Sequence, residues 1–185
     1  MRGILVSGLF AFLFSFFVTP LFIKFLARRG YGQQIRDDGP QSHHVKRGTP
    51  TMGGVVLVLA AIIGYLSSHL ITRSDFTASA FLVIGLIIGL AFVGFIDDWL
   101  KVVKQRSLGL RAREKLLGQA LVAAIFAIFG LRYPDERGLS PISAHLSTVR
   151  DTSLVLGAIA VAIWAIFLVL GSSNGVNLKI GRAHV

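Results

Sequence analysis

Hydrophobic positions along the chain are gathered into five long stretches that contain no charged side chain. These stretches cover residues 3–23, 52–72, 76–96, 116–131 and 152–178. Four of the five reach the roughly 20 residues that an α-helix needs to cross a hydrocarbon core of about 30 Å. The fourth is shorter, and needs the long side chains of Lys115 and Arg132 to extend to the interfaces. The pattern predicts five membrane-spanning helices, at about residues 3–27, 52–72, 77–98, 115–132 and 152–172.

Composition favours an integral membrane protein over a soluble domain. Of the 185 residues, 54% are hydrophobic and only 15% are charged, and the mean hydropathy is +0.70. Because backbone polar groups must be satisfied internally in a bilayer, we predict an all-α, polytopic transmembrane fold. The first stretch is too long for a signal-peptide core and is followed by basic residues, so we interpret it as a retained helix. The chain has no cysteine, which excludes disulfides and thiolate metal sites.

The net charge of +10 is distributed unevenly between the segments that join the predicted helices. Six Lys and Arg residues lie between the first two stretches or at their edges, and six more lie between the third and fourth. Only five fall in the segments on the other side. The positive-inside rule then puts both basic segments in the cytoplasm and the N-terminus outside. We expect these residues to serve topology and anionic-lipid contact, and not nucleic-acid binding.

Three polar clusters fall on the same predicted side of the membrane, and the first is IRDDGPQSHHVKRGTPTMGG, residues 35–54. Its glycines expose backbone N–H groups near a helix start, which is one way to bind an anion. Lys46 adds a cation, and Thr51 adds a hydroxyl. The adjacent residues His43 and His44 have no third ligand nearby in the sequence, so we interpret them as solvated loop residues.

The second cluster is the acidic pair Asp97 and Asp98, at the inner end of the third predicted helix. One interpretation is structural, because both carboxylates are correctly spaced to pair with Lys101 on a helix. The other is functional, because carboxylate oxygens bind Mg²⁺ and acidic residues near bilayer depth mark functional sites. The residues alone do not decide between the two.

The third cluster is GSSNGVNL, residues 171–178, at the inner end of the last stretch. Asn174 and Asn177 are three residues apart and therefore share one helix face. Such amides bind a nucleotide or sugar in some proteins, and in others they join helices by hydrogen bonds.

Taken together, these segments resemble the bacterial phospho-N-acetylmuramoyl-pentapeptide transferase family, within the wider polyprenyl-phosphate sugar-1-phosphate transferases. The resemblance is carried by residues 35–54, by GFIDDWLKVVKQRSLGLRAREKLLGQ and by SNGVNL. It implies transfer of phospho-N-acetylmuramoyl-pentapeptide from UDP to undecaprenyl phosphate, which forms lipid I and UMP in peptidoglycan synthesis. It also implies Mg²⁺ as cofactor, a homodimer, and a location in the bacterial plasma membrane with a cytoplasmic active site.

The resemblance also assigns roles to residues of this sequence. Asp97 is expected to activate or position the lipid phosphate, and Asp98 to lie near the metal-bound pyrophosphate as a metal ligand. Substrate-binding roles are expected for Lys46, Thr51, Lys115, Asn174 and Asn177.

The resemblance extends to residue 178, and about five spans of an expected ten are present. We expect residues 1–178 to form the first half of one transferase domain. Residues 179–185, KIGRAHV, depart from the family pattern, and we interpret them as a foreign tail of artefactual origin. Because the family's later acidic and histidine motifs are not in this sequence, we expect little activity from this polypeptide alone. Two alternatives stay open, a transferase that uses UDP-N-acetylglucosamine and a non-catalytic membrane scaffold.

Overall fold

A computed structural model describes residues 1–31, 52–105, 108–134, 138, 140–147 and 151–182. Side chains are described for these residues except 146–147, 151–152 and 176–182. The elements in chain order are α1 (Arg2–Arg28), α2 (Gly54–Thr72), α3 (Ala78–Val103), α4 (Ala112–Arg132), β1 (His145–Ser147), β2 (Asp151–Val155) and α5 (Ala158–Arg182).

The prediction of five membrane-spanning helices is confirmed. All five helices are long and apolar enough to cross a membrane. Their ends differ from the predicted ones, because helices continue past the uncharged stretches into polar sequence. The helix α3 continues to Val103 instead of ending at residue 98, and α4 begins at Ala112 instead of residue 115. The acidic pair therefore lies inside α3, about one and a half turns before its end.

The predicted start of the last helix, at residue 152, is wrong. Residues 151–155 form the strand β2, which pairs with β1 in an antiparallel hairpin, and α5 begins only at Ala158. The backbone N–H of Leu156 also donates to the carbonyl of Ala144, at 2.8 Å. An uncharged run does not distinguish a short strand from the first turn of a helix, because hydrophobicity is common to both. The predicted end at residue 172 is wrong as well, since α5 extends to Arg182.

The chain divides into two compact units, and the first comprises residues 1–75 and 91–115. Its main contact is between α1 and α2, along a row of buried residues four apart on α2: Val56, Ala60, Gly64 and Ser68. A Cβ added at Gly64 would lie 2.6 Å from the carbonyl oxygen of Ser7, so only glycine permits this approach of the two helices. The Ser68 hydroxyl donates to the Gly3 carbonyl, at 2.8 Å.

The second unit comprises residues 76–90 and 116–185. Its α4 segment also has a buried row, formed by Gln119, Ala123, Ala127 and Gly130. A Cβ added at Gly89 would lie 2.6 Å from a Val122 methyl group, so α3 and α4 pack closely at this glycine. Gly130 lies against Ile142, in the segment that leads into the hairpin.

Candidate active site

The acidic pair is joined to a single lysine within the first unit. The Lys101 ammonium lies 2.7 Å from Asp97 Oδ2 and 2.9 Å from Asp98 Oδ1. These are the i,i+4 and i,i+3 spacings of one helix, so the local geometry of α3 is sufficient to bring the three side chains together. The structural interpretation of the pair is confirmed to this extent. It does not exclude the functional one, because a carboxylate that is paired in one state can bind a cation in another.

Asp97 is held a second time by the segment that follows α3. The backbone N–H of Leu110 donates to Asp97 Oδ1, at 2.8 Å. Gly109, which is buried, lies so close to Asp97 that an added Cβ would overlap its carbonyl oxygen and its carboxylate. Asp97 is therefore the more enclosed of the two aspartates, with 13% of its side chain exposed against 31% for Asp98.

The start of α4 brings a further positive charge to this site. The Lys115 ammonium attracts the Asp97 carboxylate electrostatically. The helix start is capped by Glu114, whose Oε2 accepts a hydrogen bond from the backbone N–H of Arg111, at 2.9 Å. Of the residues predicted from sequence, the structure thus joins Asp97 and Asp98 through Lys101 and places the charge of Lys115 within electrostatic range of Asp97. The sequence analysis did not identify Gly109 and Leu110 as part of the site. The one sequence feature that points to them is a glycine between two leucines, Leu-Gly-Leu.

The amide cluster belongs to the second unit and joins α4 to α5. The Gln119 side chain donates from Nε2 to the Ser173 hydroxyl, at 2.9 Å, and its Oε1 accepts from Asn174 Nδ2, at 2.8 Å. The alternative that these polar residues join helices is confirmed for Asn174. The described side chains do not include that of Asn177, although its backbone is part of α5. Lys46 and Thr51 lie outside the described residues.

Asp97 and Asp98 suit a divalent cation in ligand type but not in number. No group of three or more His, Asp or Glu side chains that could hold a metal occurs within the described ranges. Both Asp97 oxygens are occupied, by Leu110 and by Lys101, whereas Asp98 uses only Oδ1 among the contacts of the described residues. Asp98 Oδ2 is therefore the oxygen best suited to contact a cation, and Asp98 is also the residue that the sequence predicts as a metal ligand. A hard divalent cation takes about six oxygen ligands, so other groups must complete its coordination.

The fold and these clusters define a polytopic membrane protein with a lysine-paired carboxylate site at a helix end. Residues 79–181 of the sequence match glycosyl transferase family 4, and the chain belongs to this family. A second match, to the phospho-N-acetylmuramoyl-pentapeptide-transferase signature 1, covers residues 46–58 and thus includes Lys46 and Thr51. The family is one of glycosyl- and phosphotransferases, which generally use a divalent metal.

Curated relatives with high identity carry the name phospho-N-acetylmuramoyl-pentapeptide-transferase. The protein of Streptomyces avermitilis is 51% identical over 181 residues, which are 98% of this chain and 51% of the relative. Those of Kineococcus radiotolerans and Cutibacterium acnes are 50% and 48% identical, over 98% of this chain and 52% and 51% of their own lengths. The family resemblance inferred from sequence is confirmed. The chain spans about half the length of the curated relatives it matches.

Proposed function

We propose that this chain supplies part of the active site of a phospho-N-acetylmuramoyl-pentapeptide transferase. The reaction moves phospho-N-acetylmuramoyl-pentapeptide from UDP to undecaprenyl phosphate, and yields lipid I and UMP. The observation that carries the proposal is the signature at residues 46–58, together with relatives of that name at about half identity over nearly the whole chain. The acidic pair, with two lysines beside it, is a site of the kind that this chemistry needs.

The reaction joins two anions, so charge neutralisation and alignment are the main tasks of the site. An oxygen of the lipid phosphate attacks the phosphorus attached to the sugar. The bond from that phosphorus to the bridging oxygen breaks, and UMP leaves with the electron pair. A phosphomonoester is largely ionised near neutral pH, because its second pKa is about 6. Asp97 therefore acts in this proposal by positioning the lipid phosphate, more than by removing a proton.

Lys101 and Lys115 supply the positive charge that offsets these anions in the chain itself. Lys101 already neutralises Asp97 and Asp98, and Lys115 attracts Asp97. We infer that Mg²⁺ is held in part by Asp98, and when bound it would neutralise the pyrophosphate of the donor. We assign four other residues to the binding of the UDP-linked donor: Lys46, Thr51, Asn174 and Asn177.

A transfer assay tests the proposed function. Because the chain spans half the length of its relatives, the assay uses the chain alone and the chain co-expressed with the second half of the Streptomyces avermitilis relative. We call the second sample the complemented protein. We expect it to release UMP only when UDP-N-acetylmuramoyl-pentapeptide, undecaprenyl phosphate and Mg²⁺ are all present, and we expect little release from the chain alone. The second half of the relative, expressed by itself, is the control.

The assay also decides between the proposal and its alternatives. Release that is as fast with UDP-N-acetylglucosamine as with the muramoyl donor would contradict the proposed substrate. No release from the complemented protein with either donor would favour a non-catalytic scaffold. The ion pairs of Lys101 are consistent with that interpretation.

We further propose that the N-terminus lies outside the bacterial plasma membrane and the acidic pair on the cytoplasmic side. Because the chain has no cysteine, one introduced cysteine reports on its position alone. Lys104 follows α3 and Asp75 precedes it, and both are exposed. In intact cells, an impermeant thiol reagent is expected to label Asp75→Cys but not Lys104→Cys. The reverse pattern would place the acidic pair outside and remove the basis of the proposed function.

A further inference from the structure

Gln119 is a buried polar residue near the start of the apolar part of α4. Its exposed fraction is 4%, and Ser68 is the other buried polar residue within the described ranges. A buried amide that lacks hydrogen-bond partners destabilises the folded state. Gln119 avoids this cost through Ser173 and Asn174, both from α5. One of these two partners, Asn174, is assigned to the UDP-linked donor under the proposed function.

The direction of these hydrogen bonds is fixed by a backbone carbonyl. Asn174 Nδ2 donates to the carbonyl oxygen of Leu170, at 2.9 Å, and a carbonyl oxygen can only accept. The nitrogen of the Asn174 amide must therefore face Leu170, and its second hydrogen goes to Gln119 Oε1. Gln119 must in turn direct its nitrogen to Ser173, which is the arrangement observed.

One consequence concerns the remaining atom of the Asn174 amide. Both hydrogens of Nδ2 are used, whereas Oδ1 has no partner among the described residues. Asn174 thus offers an acceptor and no donor. Without the Gln119 acceptor, one hydrogen bond, to Leu170, would hold the amide in place of two, and the second N–H would become available as a donor.

We propose that Gln119 is a positioning residue that holds Asn174 so that Oδ1 accepts a hydrogen bond from the UDP-linked donor. This inference rests on the proposed function, and it specifies what Asn174 recognises. The partner group must carry a hydrogen, so it is a hydroxyl or an amide N–H of the nucleotide or the sugar. An ionised lipid phosphate carries no such hydrogen, and its binding does not depend on Gln119.

Substitution of Gln119 tests this specificity in the complemented protein. Gln119→Met keeps the length of the side chain but removes the acceptor. We expect the KM for the UDP-linked donor to rise about tenfold, the effect of one lost hydrogen bond. The KM for undecaprenyl phosphate and kcat are expected to change by less than about twofold, because binding common to ground and transition states affects KM alone. Inhibition by UMP shows whether the nucleotide or the sugar provides the hydrogen, as it weakens only in the first case.

Two further variants separate positioning from a structural role. Gln119→Glu retains an acceptor for Asn174, and in the neutral form that burial favours, the new carboxyl group can donate to the Ser173 hydroxyl as Nε2 does in the wild type. It is therefore expected to restore most of the donor affinity lost in Gln119→Met. Ser68→Ala is the matched control, because it removes another buried hydrogen bond between helices, at Gly3. It is expected to leave both KM values unchanged.

The hydrogen-bond arrangement can be measured without turnover. In the 185-residue chain labelled with ¹⁵N, Gln119→Met is expected to shift the side-chain amide signals of Asn174, and Ser68→Ala is not. Unshifted Asn174 signals in Gln119→Met would overturn the inference, whatever the activity. Equal rises in both KM values, or a fall in kcat that follows a lowered melting temperature, would also overturn it. If the wild-type complemented protein transfers nothing, the proposed function fails and the donor assignment fails with it, and the amide signals then report the positioning alone.

Discussion

Asp97→Asn is expected to lower the rate of transfer by the complemented protein by about 10²- to 10³-fold, the usual effect of losing one electrostatic group of an active site. Asparagine has nearly the same shape as aspartate, and its oxygen can still accept from the backbone N–H of Leu110. The substitution therefore removes the charge and keeps the contact. Asp98→Asn is expected to cause a loss of similar size, since it weakens the oxygen ligand assigned to the metal.

Stability should change little in either variant, which separates a catalytic loss from misfolding. When Asp97 loses its charge, Lys101 keeps its ion pair with Asp98, at 2.9 Å. A partly exposed ion pair contributes at most about 1 kcal/mol, so the melting temperature in detergent should fall by only a few degrees. Asp75→Asn, at the exposed turn before α3, is the matched control and should retain full activity. Near wild-type rates for both Asp97→Asn and Asp98→Asn would leave the two aspartates a structural role only.

Contacts within one helix were accessible from the sequence. The pairing of Lys101 with Asp97 and Asp98 follows from helical spacing, because residues three and four apart always lie on the same face. The number of spans was equally accessible, since the length of an apolar stretch decides whether it can cross a bilayer. These predictions depend on local geometry and composition alone.

Contacts between distant segments were not accessible in this way. Leu110 is 13 residues from Asp97, and Asn174 is 55 residues from Gln119. No periodicity relates such pairs, because the path of the chain between two helices decides which faces meet. The hairpin was missed for a related reason. The absence of charged residues from a stretch does not show whether its backbone pairs with another strand, as β2 does with β1. The sequence thus identified Asp97 and Asn174 as candidates, but not the groups that hold them.

Gly109 is the position where a small change should disturb the acidic pair most, apart from the aspartates themselves. A Cβ at this residue would overlap Asp97 at its backbone carbonyl oxygen, at Oδ1 and at Cγ, the last at 2.8 Å. A backbone oxygen within a helix cannot move aside as the end of a flexible side chain can. Gly109→Ala must therefore push the segment at 108–110 away from α3, and the hydrogen bond from Leu110 to Asp97 is lost with it.

We expect Gly109→Ala to lower the transfer rate of the complemented protein by about 10- to 100-fold, because displacements near 1 Å have effects of that size. Gly94→Ala, on the helix that carries Asp97, is the control, since a Cβ there meets no described atom within 4 Å. Both variants add one methyl group near the acidic pair, and only the methyl group at Gly109 meets Asp97. Combining Gly109→Ala with Asp97→Asn should be little worse than Asp97→Asn alone, because both act through one carboxylate. If the double variant lost activity by the product of the two single losses, Gly109 would act independently of Asp97. Wild-type activity in Gly109→Ala would show that the Leu110 hydrogen bond does not matter for transfer.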